Sequence, residues 1–306
     1  MSLYEIHDPR FARLIHANAG LDVLHRGCRW AEGPVYVPAG RYLLWSDIPN
    51  DRIYRWDETA DKPTVFREPA FNTNGHTLDL QGRLVSCEHR GRCVSRTGHD
   101  GIRRVLVDSW DGKRLNSPND VVVRSDGTIW FTDPTYGIDS DYEGEAAESE
   151  IGASHVYRFD PATGEIAPVA TDFVKPNGLA FSPDERLLYV SDTGATHVED
   201  GPRHIRRFAV SADGLTLTGG EVFATCEAGL FDGFRLDTKG HIWTSAGDGV
   251  HCYHPDGTLL GKILTGDSCV ANVAFGGPRR NRLFICATQW VYAVYVNATG
   301  ISLLGE

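Results

Sequence analysis

The chain has 306 residues, with 30 Lys and Arg against 41 Asp and Glu, for a formal net charge of −11. That balance, with no basic cluster interleaved with aromatics, excludes nucleic acid as a partner. Thirty-three glycines against one methionine point away from helical bundles and toward turn-rich β structure, and the length is enough for a sizeable core. The N-terminal stretch Met1 to Arg10 is charged early and lacks an apolar centre, so no signal peptide is expected. No later stretch approaches the ~20 apolar residues that span a bilayer, so no membrane partner is expected. Helical periodicity is confined to Phe11 to Ile15. Leu21 to Leu24 then reads as a strand, and from Glu32 onward period-2 alternation dominates. The seven cysteines are odd in number, have no Cys-x-x-Cys spacing and sit mostly in apolar runs such as Leu283 to Ala287. They read as buried reduced thiols rather than a zinc or disulfide framework, and a cytoplasmic protein is expected.

Six residues stand at the head of one recurring pattern: Glu32, Asn74, Asn119, Asn177, Asp232 and Asn272. After each comes a short apolar run, a turn, and a second run rich in aromatic and branched residues. Asn119 to Asp133 and Asn177 to Asp192 show the pattern in full. The turns carry explicit signals, among them Gln81-Gly82, Asp126-Gly127, Pro183-Asp184 and Lys239-Gly240. Third strands follow, such as Arg52 to Asp57 and His155 to Asp160, and a weaker fourth precedes the next head, as in Arg104 to Asp108. Four strands in each of six units predict an all-β, six-bladed β-propeller around a central channel. It forms a single domain over 1–306, with an N-terminal segment 1–27 whose strand closes the ring. Blades begin near 32, 74, 119, 177, 232 and 272. A two-sheet sandwich also uses short strands but does not explain six repeats in register.

A propeller brings equivalent positions of its inner strands together at the axis. The six heads would then supply two carboxylates and four amides, hard oxygen donors suited to Ca²⁺. Magnesium is the second choice, and zinc would want the His or Cys that no head provides. The competing explanation is that Asn and Asp at strand starts merely form turns. Glu32, Asn177 and Asp232 are the strongest ligand candidates because a glycine follows each, and Asn119 comes next. Asn74 and Asn272 would face substrate or a channel water. A second set of acids, Asp47, Glu88, Asp133, Asp192 and Asp248, falls 14 to 16 residues after the heads. These are expected at the same mouth, holding substrate hydroxyls or relaying protons, with solvated turn acids as the alternative. His76, His89, His155 and His197 are further candidates there. The acidic stretch 139–150 is either a surface excursion or a lid. No nucleophile elbow or phosphate loop is present.

The segments Trp30-Ala31-Glu32-Gly33-Pro34, Ser117-Pro118-Asn119-Asp120, Thr132 to Gly137, Lys175-Pro176-Asn177-Gly178-Leu179 and Phe231-Asp232-Gly233-Phe234, in this order, resemble the regucalcin/gluconolactonase family of calcium-dependent lactonases. The resemblance runs from about Cys28 to Asn297. It implies one catalytic divalent ion, Ca²⁺ with Mg²⁺, Mn²⁺ or Zn²⁺ as substitutes. It implies Glu32, Asn177 and Asp232 as ligands, Asn119 at metal or substrate, and Asp232 as general base in opening a small lactone. Asn74, Glu88, Asp133 and Asp192 complete the expected substrate contacts. Some family members carry a substrate-binding Arg where this chain has Ser117. The rival readings are a calcium-dependent phosphotriesterase and a non-catalytic calcium-binding propeller. The pattern leaves the oligomeric state open.

Overall fold

The structure, a computed structural model, describes residues 2–266 and 269–302. Met1 and 303–306, the two ends of the expected domain, lie outside the described residues. Six four-stranded antiparallel sheets stand around a common axis as the blades of a propeller. Blade one runs outward through Ala31–Val37, Tyr42–Asp47, Arg52–Asp57 and Lys62–Arg67. The inner strands of the next five are Thr73–Leu78, Val121–Val123, Pro176–Phe181, Phe234–Leu236 and Asn272–Gly276. In blades three and five the inner strand begins two residues after the heads Asn119 and Asp232.

The N-terminal segment serves two blades. Asp22–Arg26 pairs with Trp290–Tyr295 as the outer strand of blade six. Tyr4–Ile6 adds a fifth strand to blade five by pairing with Leu259–Leu264. Between them the 3₁₀ turn Pro9–Arg13 buries Phe11 against Trp243. Among the described residues no helix is long and apolar enough to cross a membrane.

The core lies between blades rather than within one centre. Trp45 and Trp56 of blade one pack with Phe284 and Val291 of blade six. Trp130 of blade three joins Leu179 and Val190 of blade four, and Trp243 of blade five joins Val273 and Ile285 of blade six. Because each sheet is covered on both faces, second strands such as Arg282–Ala287 are buried throughout. Each large apolar side chain so buried contributes about 1.5–3 kcal/mol. All seven cysteines are free thiols, six of them buried, with Cys269 exposed.

At the axis the inner strands approach so closely that four of the six heads are followed by glycine. A Cβ on Gly33 would fall 1.9 Å from the carbonyl oxygen of Asn74, and one on Gly178 would fall 2.4 Å from that of Asp232. These contacts are with backbone, which cannot swing away. Gly178→Ala is therefore expected to lower the unfolding free energy by about 1–3 kcal/mol in urea titration. An unchanged midpoint would show that the ring yields.

Candidate active site

Glu32, Asn74, Asn119, Asn177 and Asp232 all line one cavity of about 350 Å³ at the mouth where the inner strands begin. That is near the lower end of the ~300–1,000 Å³ typical of small-molecule sites. Hydrogen bonds between blades fix the backbone of the heads. Ser46, Thr132 and Ser191 each stand on a second strand and donate through their hydroxyls, at 2.8 Å, to the carbonyls of Asn74, Asn177 and Asp232 in the following blade. The Asp232 N–H also donates to Ser245 Oγ at 2.8 Å.

Glu32 is buried, and one of its oxygens accepts from Asn272 Nδ2 at 3.0 Å and from the Gly33 N–H. Burial nevertheless pushes its carboxyl up to about 8. Asp232 opens to the cavity and is enclosed by protein elsewhere. Burial raises its carboxyl well above the usual range, and the charges of Glu32, Glu143 and Asp120 add to the effect. Asn177 donates from Nδ2 to Thr193 Oγ1 at 3.3 Å. Asn74 reaches His89 Nε2 at 3.3 Å. The side-chain amide of Asn119 has no hydrogen-bond partner among the described residues and faces the cavity. Asn272, expected at substrate or water, stands behind Glu32 and orients it.

These residues fit a hard divalent cation. Two carboxylates, Glu32 buried and Asp232 half-buried, face one space, and among the described residues no Lys, Arg or His forms an ion pair with either. No three His, Cys, Asp or Glu side chains among the described residues converge on one point. Amide oxygens and water would complete the shell, as Ca²⁺ accepts and Zn²⁺ does not favour. A larger cavity, about 910 Å³, opens at the opposite mouth. Its lining includes four arginines and a single acid, Glu185, so it offers no comparable donor set.

The second set of acids does not line the cavity, which corrects the expectation for Glu88, Asp133 and Asp192. Asp47 accepts from the N–H groups of Arg29 and Trp30, Asp133 from Asn116 and Ser117, and Asp192 from Val174 and Lys175. In all three blades the donors lie three and two residues before the head. These carboxylates brace the turn that presents the head residue. Asp133 is raised to about 7 by burial, opposed by those two amides. Glu88 pairs with Arg103 and Ser95, and Asp248 with Lys262 and His251. Their oxygens are engaged, which removes them from substrate or proton relay.

Ser117 is also engaged. Its hydroxyl donates to Pro134 O at 2.7 Å and accepts from the Gly137 N–H at 2.9 Å. It thereby seats the loop that begins with the helical turn Tyr136–Asp139. That loop brings Tyr136, Asp139, Ser140, Tyr142 and Glu143 to the cavity wall. Of the candidate histidines, only His197 lines the cavity. His89 lies behind Asn74, and His76 bridges Ser46 and Ser86 at 2.8 Å each. His155 packs between Trp110 and Tyr157. A pair that sequence reasoning did not find lies next to the site: Arg235 of blade five bonds Asp120 of blade three at 3.1 Å and 3.3 Å. Its signal was that Asp120 replaces the glycine that follows most heads.

Residues 30–289 match the family model described as the SMP-30/gluconolactonase/LRE-like region. The gluconolactonase of Zymomonas mobilis is 31% identical, with 95% of this chain and 85% of the relative covered. The solved structure of a gluconolactonase from Xanthomonas campestris is 38% identical and superposes with a TM-score of 0.89, covering 96% of this chain and 94% of that one. The calcium-binding regucalcin of Agrobacterium tumefaciens shares the fold with a TM-score of 0.75 at 21% identity, over 92% and 95% of the two chains.

Proposed function

The chain belongs to the SMP-30/gluconolactonase/LRE-like family, and on that premise we propose that it is a lactonase that opens small lactones with the help of a divalent cation, Ca²⁺ in the first instance. The observation that carries this reading is the pairing of Glu32 and Asp232, two carboxylates without a cationic partner among the described residues, in a cavity also lined by Asn119 and Asn177. Glu32, Asn177 and Asp232 would hold the ion, with Asn119 at the ion or the substrate. Bound there, the cation would act as a Lewis acid toward the lactone carbonyl and offset the charge developing on its oxygen.

The chain's own residues supply the rest. Asp232 receives a proton from the attacking water as the new C–O bond forms. The ring C–O bond then breaks, the proton passes to the departing ring oxygen, and a hydroxy acid leaves. Without the ion, enclosure by protein and the neighbouring Glu32 charge raise the proton affinity of Asp232; a bound cation would lower it and keep the carboxylate ionised, so a carboxylate oxygen left free of the ion would act as the base. Asn119 offers its unpartnered amide to a substrate oxygen. Trp30, Ile48, Leu230 and Val270 give the cavity an apolar wall that limits competing water. The free thiols fit a reducing compartment, and we place the activity in the cytoplasm.

The test is hydrolysis of a lactone panel by metal-stripped protein, with Ca²⁺, Mg²⁺, Mn²⁺ and Zn²⁺ added in turn and a phosphotriester beside it. Lactone opening should vanish on chelation and return most fully with Ca²⁺. Faster cleavage of the triester, or lactone opening indifferent to chelator, would overturn the reading.

A further inference from the structure

The loop after blade three's second strand is a built wall. Gly137 lies so close to blade two that a Cβ there would fall 2.4 Å from the Cβ of His89. The N–H groups of Glu145 and Ala147 return to the carbonyls of Gly137 and Ile138, each at 3.0 Å. On the blade-four side, Lys175 Nζ bonds Asp139 at 2.6 Å, and the Tyr136 hydroxyl meets Thr193 Oγ1, also at 2.6 Å. The loop thus bridges blades two and four over the intervening head, Asn119.

One group on this wall is left over. The Glu143 side chain lines the cavity, is only 24% exposed, and receives no hydrogen bond from any described residue. Its nearest partner, His89 Nδ1, is 3.9 Å away and bonds the Glu143 carbonyl instead, at 3.1 Å. His89 is buried and held neutral, its pKa lowered to about 4, so no ion pair forms. Asp139 beside it is satisfied by Lys175. The Glu143 charge is felt by both Glu32 and Asp232, but the three acids do not form a ligand cluster among the described residues. A half-buried carboxylate on the cavity wall with open acceptor sites is placed to take donors from the occupant of the cavity.

We propose that Glu143 selects the substrate class: its carboxylate accepts hydrogen bonds from the hydroxyls of a neutral, polyhydroxylated lactone. The inference rests on the lactonase reading. Among lactones, hydroxyl groups are the common donors, and the acids around this cavity disfavour anionic ones. Ser117 is occupied in seating the wall, which leaves the wall's own carboxylate to recognise the sugar.

The experiment measures kcat/KM for a polyhydroxylated δ-lactone and for the unsubstituted δ-lactone in wild type, Glu143→Ala and Glu143→Gln, with Ca²⁺ saturating. In Glu143→Ala the ratio of the two should fall by about 10- to 100-fold, the loss expected for hydrogen bonds to a charged acceptor. Most of the fall should reside in KM for the hydroxylated lactone. Glu143→Gln keeps an acceptor and should recover part of the ratio. Melting temperatures of both variants should not fall below wild type, because no described group depends on this carboxylate and its burial is itself unfavourable to the charged form. A ratio unchanged in Glu143→Ala, whether both substrates suffer equally or neither does, overturns the proposal. Failure of the wild type to open either lactone overturns the lactonase reading itself.

Discussion

Asp232→Asn should lower kcat for lactone opening by about 10²- to 10⁴-fold, the range general bases contribute, while leaving the fold intact. The backbone of residue 232 is gripped on both sides, with its N–H on Ser245 Oγ and its carbonyl on the Ser191 hydroxyl. The shape-matched Asn will therefore point into the cavity as Asp does. What changes is charge and proton affinity. Two roles must be separated, because the same carboxylate is proposed as ligand and base. Calorimetric titration with Ca²⁺ fixes how much affinity is lost, and kcat is then read at saturating ion. Glu32→Gln is the comparison. It removes the other carboxylate of the pair, but Glu32 is restrained by Asn272 and the Gly33 N–H and has no proposed proton to carry. It should raise the Ca²⁺ concentration needed for activity far more than it lowers saturated kcat. Full activity of Asp232→Asn with ion bound would remove Asp232 from the role of base.

The blade plan was legible because a propeller repeats one constraint six times. A polar head stands at or beside the start of each inner strand, and in four of the six the next residue meets the neighbouring blade at contact distance, backbone at Gly33, Gly75 and Gly178 and the Asn272 side chain at Gly233, so glycine recurs in register. The convergence of Glu32, Asn119, Asn177 and Asp232 follows from that closure. The second acids were misread for a physical reason: a strand-end Asp facing the mouth and one folded back onto amides three and two residues before the head have the same spacing in sequence. Only the backbone path separates them. Asp120 and Arg235 lie 115 residues apart, and no periodicity in either blade announces a bond across the axis. The stretch 139–150 was recognisable as an insertion, but its use of Ser117 and Gly137 as a seat depends on blade two passing beneath it.

Metal-stripped protein should lose stability as pH rises from about 6.5 to 8, and Ca²⁺ should restore more of it the higher the pH. The carboxyl of Glu32 is raised from 4.5 to about 8, so between those values the folded chain holds a proton that the unfolded chain has released. Stability from such a group is greatest below the unfolded value and is lost as pH climbs through the folded one. At roughly 1.4 kcal/mol per pH unit, Glu32 alone accounts for a loss on the order of 2 kcal/mol across that window, and Asp232 acts in the same direction. Buried His76 and His89, lowered to about 3 and about 4, act oppositely. Their effect is complete near the ordinary histidine value, which is why the window begins at about 6.5. Asp133 and Glu143, both raised to about 7, reinforce the fall. A divalent ion reverses the effect at the pair, because it binds the deprotonated carboxylates and folding gains the binding free energy. Melting curves at half-unit steps from pH 5 to 8.5, with chelator and with Ca²⁺, should diverge steadily with pH. A Ca²⁺ effect of constant size, or a chelated protein that grows more stable above pH 6.5, would mean that Glu32 and Asp232 do not share a cation.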